Sequence, residues 1–275
     1  VCVEKNHFRI ISSAATRERD KFHIKKYLSK DIELTDITDD LCVFGLFGPK
    51  SRDLIKKMSR DNFDNENFKF GTAKYISIEG IKIWTQRLSY VGELGYELYV
   101  EFKDAKKIYE LIINKGKDFS LSNCGMHAMD IMRMESGFLH WGHDISPEEN
   151  QYQAGLSFTI SKKKEVDFIG KKALEKIKKE KQKSRFAMFT LKESEPGKPL
   201  LLHDEPIYID NKIVGRSTSG NYSFNFKKNL VFGYIDNDLS NDELQSKNLF
   251  VEVEKKKYPI LIQSEPLKRT DFKNL

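Results

Sequence analysis

The stretch Ser-Tyr-Val-Gly-Glu-Leu-Gly-Tyr-Glu-Leu-Tyr-Val, residues 89–100, is the most informative segment of this chain for fold and function. Its glycines interrupt two strand-forming runs, and glycine allows backbone conformations that bring neighbouring side chains close to a ligand. Glu97 follows the bend, within an otherwise apolar strand. Because an unpaired carboxylate in such a place is costly, Glu97 is expected to meet a fixed hydrogen-bond donor.

Several partners would satisfy this carboxylate. A planar heterocycle that presents adjacent N–H and amino groups would suit Glu97 in the same bidentate manner as a guanidinium group. Tyr90 is placed to stack on such a ring or to donate to it. The residues alone leave two other interpretations open: an exposed edge strand, or an internal salt bridge between Glu97 and Arg87.

The surrounding residues predict a mixed α+β region that extends to residue 183. Apolar residues at helical or strand spacing, with glycine and proline at the boundaries, define its elements. The chain opens on Val1 in what reads as a strand already under way, so a fragment is expected. The predicted strands are 8–11, 41–47, 75–78, 81–90 and 96–102, with a hairpin turn at Glu79-Gly80; the predicted helices are 16–28, one after Pro49, 104–115 ended by Gly116, and 126–135.

From residue 184 onward the pattern changes to short strands separated by polar turns. They are predicted over 186–191, 206–209, 213–217, 231–234, 250–253 and 258–262. Their regular spacing predicts a small antiparallel barrel or sandwich, which gives two domains, 1–183 and 184–275. Basic residues outnumber acidic ones between Lys162 and Arg185, and apolar residues at helical spacing there predict a solvated helix face. A patch for an anionic tail or partner is the other interpretation of this segment.

Composition narrows the functional classes. The net charge of +6 is shared among 47 basic and 41 acidic residues, which argues against a dedicated nucleic-acid-binding protein. The apolar runs are far shorter than the roughly 20 residues that span a bilayer, and the start lacks the order of a signal peptide, so no membrane association is expected. The three cysteines, Cys2, Cys42 and Cys124, are too widely spaced to indicate a disulfide framework or a zinc site. A reducing compartment is expected, either the cytoplasm or, in a eukaryote, the mitochondrial matrix.

A second cluster of polar residues lies in the predicted helix 126–135. Its methionines at positions 126, 129 and 132 recur every third residue, which predicts that they pack the helix into the core. Asp130, Arg133 and Glu135 are expected to pair with one another near the end of the helix.

Two further polar segments carry weaker signals. The spacing His140-x-x-His143-Asp144 resembles a metal cluster only superficially, and ordinary hydrogen-bonded loop histidines are expected there. Residues 218–223, Thr-Ser-Gly-Asn-Tyr-Ser, predict a turn between two strands. The chain contains no GxSxG, P-loop or GxGxxG motif, so no motif supports a hydrolase, a nucleotide-phosphate-binding or a dinucleotide-binding function.

Several motifs occur in the order seen in the glycine-cleavage T-protein (aminomethyltransferase) superfamily, and the chain resembles that superfamily over nearly its whole length. The matching blocks are Tyr90 to Glu97, Arg133 to Gly137 with Trp141-Gly142, Asp167 to Leu174, Gly215 to Tyr222, and Glu265 to Leu267. The chain is most similar to the C-terminal folate-binding domain of dimethylglycine and sarcosine dehydrogenases. Met129 stands where the T-protein proper has an arginine, which favours the dehydrogenase branch.

The resemblance implies an α+β aminomethyltransferase fold with a C-terminal antiparallel β-barrel and an incomplete N-terminal part. It implies that tetrahydrofolate is bound, with Glu97 holding the pterin ring and Tyr90 beside it. Tyr222, Trp141 and Arg133 are weaker candidates for the pocket or its support. The catalytic aspartate of the family is expected upstream of Val1, so no catalytic residue is assigned in this chain.

The implied activity is tetrahydrofolate-dependent transfer of an aminomethyl or methylene group that derives from a methylated amine. FAD is expected only on a separate or upstream domain or subunit, because the chain has no flavin-binding segment. The alternative is a folate-binding or regulatory protein without transferase activity. A basic scaffold that binds nucleic acid through residues 162–185 is a third interpretation, and it predicts steeply salt-dependent binding.

Overall fold

The computed structural model describes residues 1–161, 167–268 and 271 of the chain. Contacts divide the protein into two compact units, one that contains Val1–Cys124 and one that begins at Gly125. This division lies inside the region that the sequence assigns to a single domain, so the boundary between residues 183 and 184 stays a prediction.

The first unit is built on a four-stranded antiparallel sheet. The elements of this unit are β1 (Cys2–Glu4), β2 (His7–Phe8), α1 (Arg17–Tyr27), β3 (Leu41–Phe47), α2 (Ser51–Met58), β4 (Ala73–Ile78), β5 (Ile81–Gln86), β6 (Gly95–Glu101) and α3 (Phe102–Gly116). The strand order is β3-β6-β5-β4, and β1 and β2 form a separate two-stranded ribbon. The predicted hairpin turn between β4 and β5 is confirmed, because Glu79 and Gly80 have φ angles of 47° and 81°.

One face of this sheet forms the hydrophobic core of the first unit. Helix α2 supplies the predicted apolar stripe, with Leu54, Ile55 and Met58 buried. On β6, the alternate residues 96, 98 and 100 are all 0% exposed and face the core. Because successive side chains of a strand point to opposite faces, Glu97 and Tyr99 lie on the face away from this core.

Two predictions for this unit are wrong at their boundaries. The predicted strand 8–11 ends at Phe8, and Ile10 and Ile11 are exposed, so their apolar character does not mark a core strand. The strand predicted to reach residue 90 ends at Gln86. Gly116 is the last residue of helix α3, as predicted, and the chain then continues into a 3-10 turn that stops at Ser120, which has a φ of 58°.

The second unit contains a closed antiparallel barrel of six strands in the order β10-β7-β12-β11-β8-β9. Its elements are α4 (Met126–Glu135), α5 (Lys171–Lys179), β7 (Ser184–Leu191), β8 (Pro206–Ile209), β9 (Lys212–Ser223), β10 (Lys228–Asp236), α6 (Asn241–Gln245), β11 (Leu249–Val253) and β12 (Lys256–Gln263). The predicted barrel and helix 126–135 are therefore confirmed. Closure removes the exposed edge strands that an open sheet of this size would leave.

The turn predicted over 218–223 is wrong, because these residues form the second half of strand β9. Their polar character suggested solvent exposure, but Thr218, Ser219 and Ser223 are all buried and hydrogen-bonded. In the basic segment, α5 is confirmed as a helix whose lysines are largely exposed. Residues 162–166 of that segment lie outside the described residues.

Candidate functional site

Glu97 lies on the open face of the first unit's sheet, between two very different neighbours. Its cross-strand partner on β3 is Gly45, and its partner on β5 is Gln86. Gly45 is exposed, whereas Gln86 is 6% exposed. The half-buried Glu97 carboxylate is therefore flanked on one side by a residue that has no side chain.

The donor that the sequence analysis expected for Glu97 is supplied within the same strand. The Tyr99 hydroxyl lies 2.6 Å from Glu97 Oε2 and 3.3 Å from Gln86 Oε1. Since a phenol has one proton, the shorter contact identifies Glu97 as its acceptor. Burial, and then the hydrogen bond to Glu97, raises the pKa of the Tyr99 phenol, which keeps that proton in place.

One neutral donor leaves most of the acceptor capacity of Glu97 available. A carboxylate has about four lone-pair sites, and its ideal partner is a pair of N–H groups. Arg87, the alternative partner suggested by the sequence, directs Nη1 at the carbonyl oxygen of Phe68, at 2.5 Å. Burial lowers the pKa of the Arg87 guanidinium.

The ring of Phe47 covers two glycines next to Glu97. A Cβ at Gly45 or at Gly95 would overlap this ring, and one at Gly95 would also come within 3.0 Å of the Leu88 carbonyl oxygen. Both positions must therefore be glycine for the ring to lie against the sheet. An aromatic ring and a carboxylate then share one surface, and these groups suit a planar heterocycle that carries N–H donors.

Tyr90 lies half-buried in the loop that leads into β6. The Ser89 hydroxyl accepts hydrogen bonds from the backbone amides of Val91 and Glu93, so the bend begins at this serine rather than after a strand. The end of the loop is anchored at the carbonyl oxygen of Leu94, which accepts bonds from the Gly48 amide and the Ser51 hydroxyl. Tyr90 is thus presented from a loop with both ends fixed.

In the second unit, Arg133 is 1% exposed and belongs to a buried polar network. Its Nε lies 2.8 Å from Asp130 Oδ1, its Nη2 lies 2.8 Å from Ser219 Oγ, and its Nη1 contacts Asp144. The predicted pairing of Arg133 with Asp130 is confirmed. Glu135 takes no part in it, because it accepts from Ser223 and Asn225 instead.

Asp144 is the centre of this network, and sequence reasoning missed that role. It is 1% exposed and accepts from Thr218 Oγ1 at 2.5 Å, Ser219 Oγ at 2.8 Å and the His140 amide at 2.9 Å, besides its ion pair with Arg133. The sequence signal for Asp144 is an isolated aspartate that follows two histidines, a pattern that resembles a metal cluster. The pattern does not indicate a buried network, because Thr218 and Ser219 lie 74 and 75 residues away in the sequence.

The other predicted residues of this unit are more exposed. Trp141 is 39% exposed and forms an isolated bridge with Ile145. Tyr222 is half-buried on β9, with its ring edge-on to that of Phe224 at 5.1 Å. Met126 is 69% exposed, so the prediction that it packs into the core is wrong, and the methionine of α4 that is buried is Met134.

The two loop histidines stack on each other, with 4.6 Å between the ring centroids of His140 and His143. Burial lowers the pKa of His140, and the neighbouring His143 adds to this effect. Over residues 1–161, 167–268 and 271, no group of three or more histidine, cysteine, aspartate or glutamate residues is arranged to hold a metal ion. In the same part of the chain, no helix has the length and apolar character needed to cross a bilayer.

Comparison with known proteins places these features in one family. The family model described as "GCVT N-terminal domain" matches residues 1–164, and the model described as "Glycine cleavage T-protein C-terminal barrel domain" matches residues 185–268. The chain belongs to the glycine cleavage T-protein family. The resemblance expected from the sequence motifs is therefore confirmed.

Curated relatives cover most of this chain but differ in length. Human "Dimethylglycine dehydrogenase, mitochondrial" is 36% identical over 241 residues, which are 88% of this chain and 27% of that protein. "4-methylaminobutanoate oxidase (formaldehyde-forming)" of Paenarthrobacter nicotinovorans is 34% identical over 88% of this chain and 30% of its own length. The "Aminomethyltransferase" of Anoxybacillus flavithermus is 28% identical over 86% of this chain and 63% of its own length. The chain thus spans little more than a quarter of the dimethylglycine dehydrogenase that it matches.

A solved structure has the same fold. The glycine cleavage system aminomethyltransferase T from Bartonella henselae superposes with a TM-score of 0.76 at 20% identity, over 93% of this chain and 67% of that one. The predicted α+β aminomethyltransferase fold with a C-terminal barrel is therefore confirmed.

Proposed function

We propose that this chain is the tetrahydrofolate-binding part of a one-carbon-transferring enzyme, and that Glu97 holds the pterin ring. The observation that carries the proposal is the Glu97 carboxylate on an open sheet face, oriented by the Tyr99 hydroxyl and bordered by the exposed backbone of Gly45. The family membership of the chain supports it, as do the names of its relatives, which include aminomethyltransferases.

The chemistry of these residues fits the pterin group. A pterin ring presents an N–H and an amino group side by side, and a carboxylate accepts from such a pair through both oxygens. Tyr99 occupies one lone pair of Oε2 and holds the carboxylate in place, while Phe47 and Gly45 offer a flat surface next to it. Tyr90, on its anchored loop, is the proposed aromatic contact with the ring.

Catalysis by this chain is proposed to rest on positioning. Bound tetrahydrofolate supplies the amine nitrogens that accept a one-carbon unit, and this chain's residues bind and orient it. Holding two reactants in the correct geometry can contribute several kcal/mol, about 7–11 in favourable cases, so a rigid pocket matters more than a strong nucleophile. Arg133 supports the fold of the second unit through buried bonds, and Trp141 and Tyr222 are proposed as further contacts.

The donor of the one-carbon unit is proposed to be a methylated amine that is oxidised by a flavin domain or subunit outside this chain. Two relatives are named as a dehydrogenase of dimethylglycine and an oxidase of 4-methylaminobutanoate, and each is more than three times as long as the segment it shares with this chain. The proposed compartment is the cytoplasm or the mitochondrial matrix. The matrix is included because the matching human dehydrogenase is described as mitochondrial.

Calorimetric titration with tetrahydrofolate tests the site. Glu97→Ala is expected to weaken binding by about 10–100-fold, because hydrogen bonds to a charged group contribute about 1.5–3 kcal/mol. Glu101→Ala is the matched control, since Glu101 lies on the same strand and is exposed, paired with Lys103. Equal affinity of Glu97→Ala and wild type would remove the site assignment.

A transfer assay separates this function from folate binding alone. The protein would be supplied with tetrahydrofolate, a methylated amine and a flavin-dependent dehydrogenase that oxidises this amine. Formation of 5,10-methylenetetrahydrofolate is expected, and it should fall in Glu97→Ala. Tight folate binding without this product would favour a folate-binding or regulatory protein without transferase activity.

A further inference from the structure

Arg9 extends the Glu97 face at its aromatic end. The guanidinium carbon of Arg9 lies 4.1 Å from the centre of the Trp84 ring and 5.8 Å from that of Tyr99. Trp84 and Tyr99 are paired across β5 and β6, with their rings edge-on at 4.7 Å, and both are buried. Arg9, Trp84, Tyr99 and Glu97 therefore form one continuous row of side chains.

The backbone holds Arg9 firmly at this position. Its amide donates to the Val1 carbonyl oxygen at 2.8 Å, and its own carbonyl oxygen accepts from the Val1 amino group at 2.7 Å. These bonds continue the ribbon of β1 and β2 by one residue pair. The side chain thus starts from a fixed point, and its unbranched stem carries the guanidinium over the tryptophan ring.

Two N–H donors of the Arg9 guanidinium have no hydrogen-bond partner in the described part of the chain. These donors, Nε and Nη1, are both buried. Stacking on Trp84 stabilises the cation through the face of the guanidinium, but it leaves the N–H groups in the guanidinium plane unsatisfied. A buried donor without an acceptor costs free energy, so these N–H groups lower the stability of the ligand-free protein. An acceptor on a bound ligand would remove that cost.

The charges around Arg9 indicate what it would accept. The positive charge of Arg9 lowers the pKa of the Tyr99 phenol, while burial and Glu97 raise it more, so the charge acts at the group that orients Glu97. The face then presents an acceptor, Glu97, bonded to the Tyr99 hydroxyl, and a cationic donor, Arg9, 5.8 Å from the centre of the Tyr99 ring. A ligand with N–H donors at one point and an oxygen acceptor at another would satisfy both.

We propose that Arg9 is a further binding residue of the Glu97 site, and that it donates one of its two unpartnered groups, Nε–H or Nη1–H, to an oxygen acceptor of the bound folate. This inference rests on the proposed function. Folate carries such oxygens in two regions: on the carbonyl of the pterin ring, and in the benzoylglutamate tail on its amide carbonyl and its carboxylates. Arg9 is only partly buried, and its flexible stem allows the guanidinium to turn toward either region without a change in the ribbon.

The test compares Arg9→Met with wild type in titrations with tetrahydrofolate and with 6-methyltetrahydropterin, which lacks the tail. Methionine keeps an unbranched apolar stem over Trp84 and removes the donors. Arg9→Met is expected to bind tetrahydrofolate about tenfold more weakly, the loss of one good charged hydrogen bond. The same factor for the pterin identifies the ring carbonyl as the acceptor, whereas an effect confined to tetrahydrofolate identifies the tail.

Thermal unfolding of the ligand-free protein separates binding from a structural role. Because the unsatisfied N–H groups disappear, Arg9→Met is expected to keep or raise the melting temperature while it weakens binding. Arg60→Met, at an exposed arginine of the same unit, is the matched control and should change neither quantity.

Two results would overturn the inference: unchanged affinity of Arg9→Met for tetrahydrofolate, or a loss of affinity that appears only together with a large fall in melting temperature. Glu97→Gln, titrated in parallel, separates this inference from the function on which it rests. If Glu97→Gln weakens binding and Arg9→Met does not, only the role of Arg9 is lost. If Glu97→Gln binds normally, the folate site itself is misplaced.

Discussion

Two carboxylates of this protein, Glu97 in the first unit and Asp144 in the second, show how the same group serves binding in one place and stability in another. Asp144 is buried and accepts four contacts, from Arg133, Thr218, Ser219 and the His140 amide. Glu97 is half-buried and accepts one side-chain hydrogen bond, from a neutral phenol in its own strand. Asp144 has no acceptor capacity left for a ligand, whereas Glu97 keeps most of its own.

The difference teaches where a folded protein can hold a recognition group. A buried ionic network is stable only when every member is satisfied, and a satisfied network is rigid. A half-open carboxylate can remain partly unsatisfied because water solvates it until a ligand arrives. Substitutions at the two carboxylates and their neighbours should therefore differ in what they change, stability around Asp144 and binding around Glu97.

Asp144→Ala is expected to destabilise the protein by about 3–5 kcal/mol, because it removes the fully buried counter-charge of Arg133 and the acceptor of the buried Thr218 and Ser219 hydroxyls. Urea denaturation measures this change. Asp238→Ala is the control, since Asp238 is 71% exposed in its pair with Lys181 and should contribute less than about 1 kcal/mol. A loss below 1 kcal/mol for Asp144→Ala would contradict the structural role assigned to this network.

Gly45→Ala is expected to cost about 1–3 kcal/mol, because the added methyl group would overlap the Phe47 ring beside Glu97. The double variant Gly45→Ala with Phe47→Leu should recover part of that loss, which distinguishes a local clash from a backbone effect. Both are measured by chemical denaturation. An unchanged midpoint in Gly45→Ala would mean that the ring does not lie against the sheet as described.

Tyr99→Phe is expected to weaken tetrahydrofolate binding by about tenfold, or ~1.4 kcal/mol, because Glu97 loses the donor that orients it. The ring and its packing on Trp84 are kept, so stability should change by no more than about 1 kcal/mol. Titration calorimetry and denaturation on the same sample check both quantities. Tyr234→Phe, at the other buried tyrosine with a raised pKa, serves as the control in the second unit.

The raised pKa of Tyr99 predicts a small effect at alkaline pH. Burial, together with the hydrogen bond to Glu97, favours the protonated phenol in the folded state, whereas the unfolded chain ionises near pH 10. The stabilising contribution is thus complete below about pH 10 and is lost as the pH rises toward the folded pKa. The fall in the denaturation midpoint between about pH 9 and pH 11 should be smaller in Tyr99→Phe than in wild type.

Patterns within one element could be predicted from the sequence. Strand β3 was predicted over the residues that it occupies, because a short apolar run lies between polar boundaries, and helix α4 was likewise predicted over its full length. The alternation along β6 also places Tyr99 on the same face as Glu97, but the alternation alone does not predict the hydrogen bond between them.

Contacts between distant segments could not be predicted in this way. Residues 218–223 were interpreted as a turn because they are polar, and nothing local shows that Thr218 will meet Asp144, 74 residues earlier. The role of Arg9 could not be predicted either. Its position over Trp84 depends on the end of strand β2 at Phe8, whereas the apolar pattern predicts a strand that continues to Ile11. Buried polar residues are predictable only when their partners are known.

The stabilisation that tetrahydrofolate confers on wild type and on Glu97→Gln shows whether Glu97 holds the ligand. At a ligand concentration of 100 times the wild-type Kd, wild type should gain about 2.7 kcal/mol, and a variant that binds 30-fold more weakly about 0.9 kcal/mol. If Glu97 holds the pterin ring, the two proteins should be equally stable without ligand and should differ by this amount with it. Equal stabilisation of both by tetrahydrofolate would mean that Glu97 does not bind the ligand.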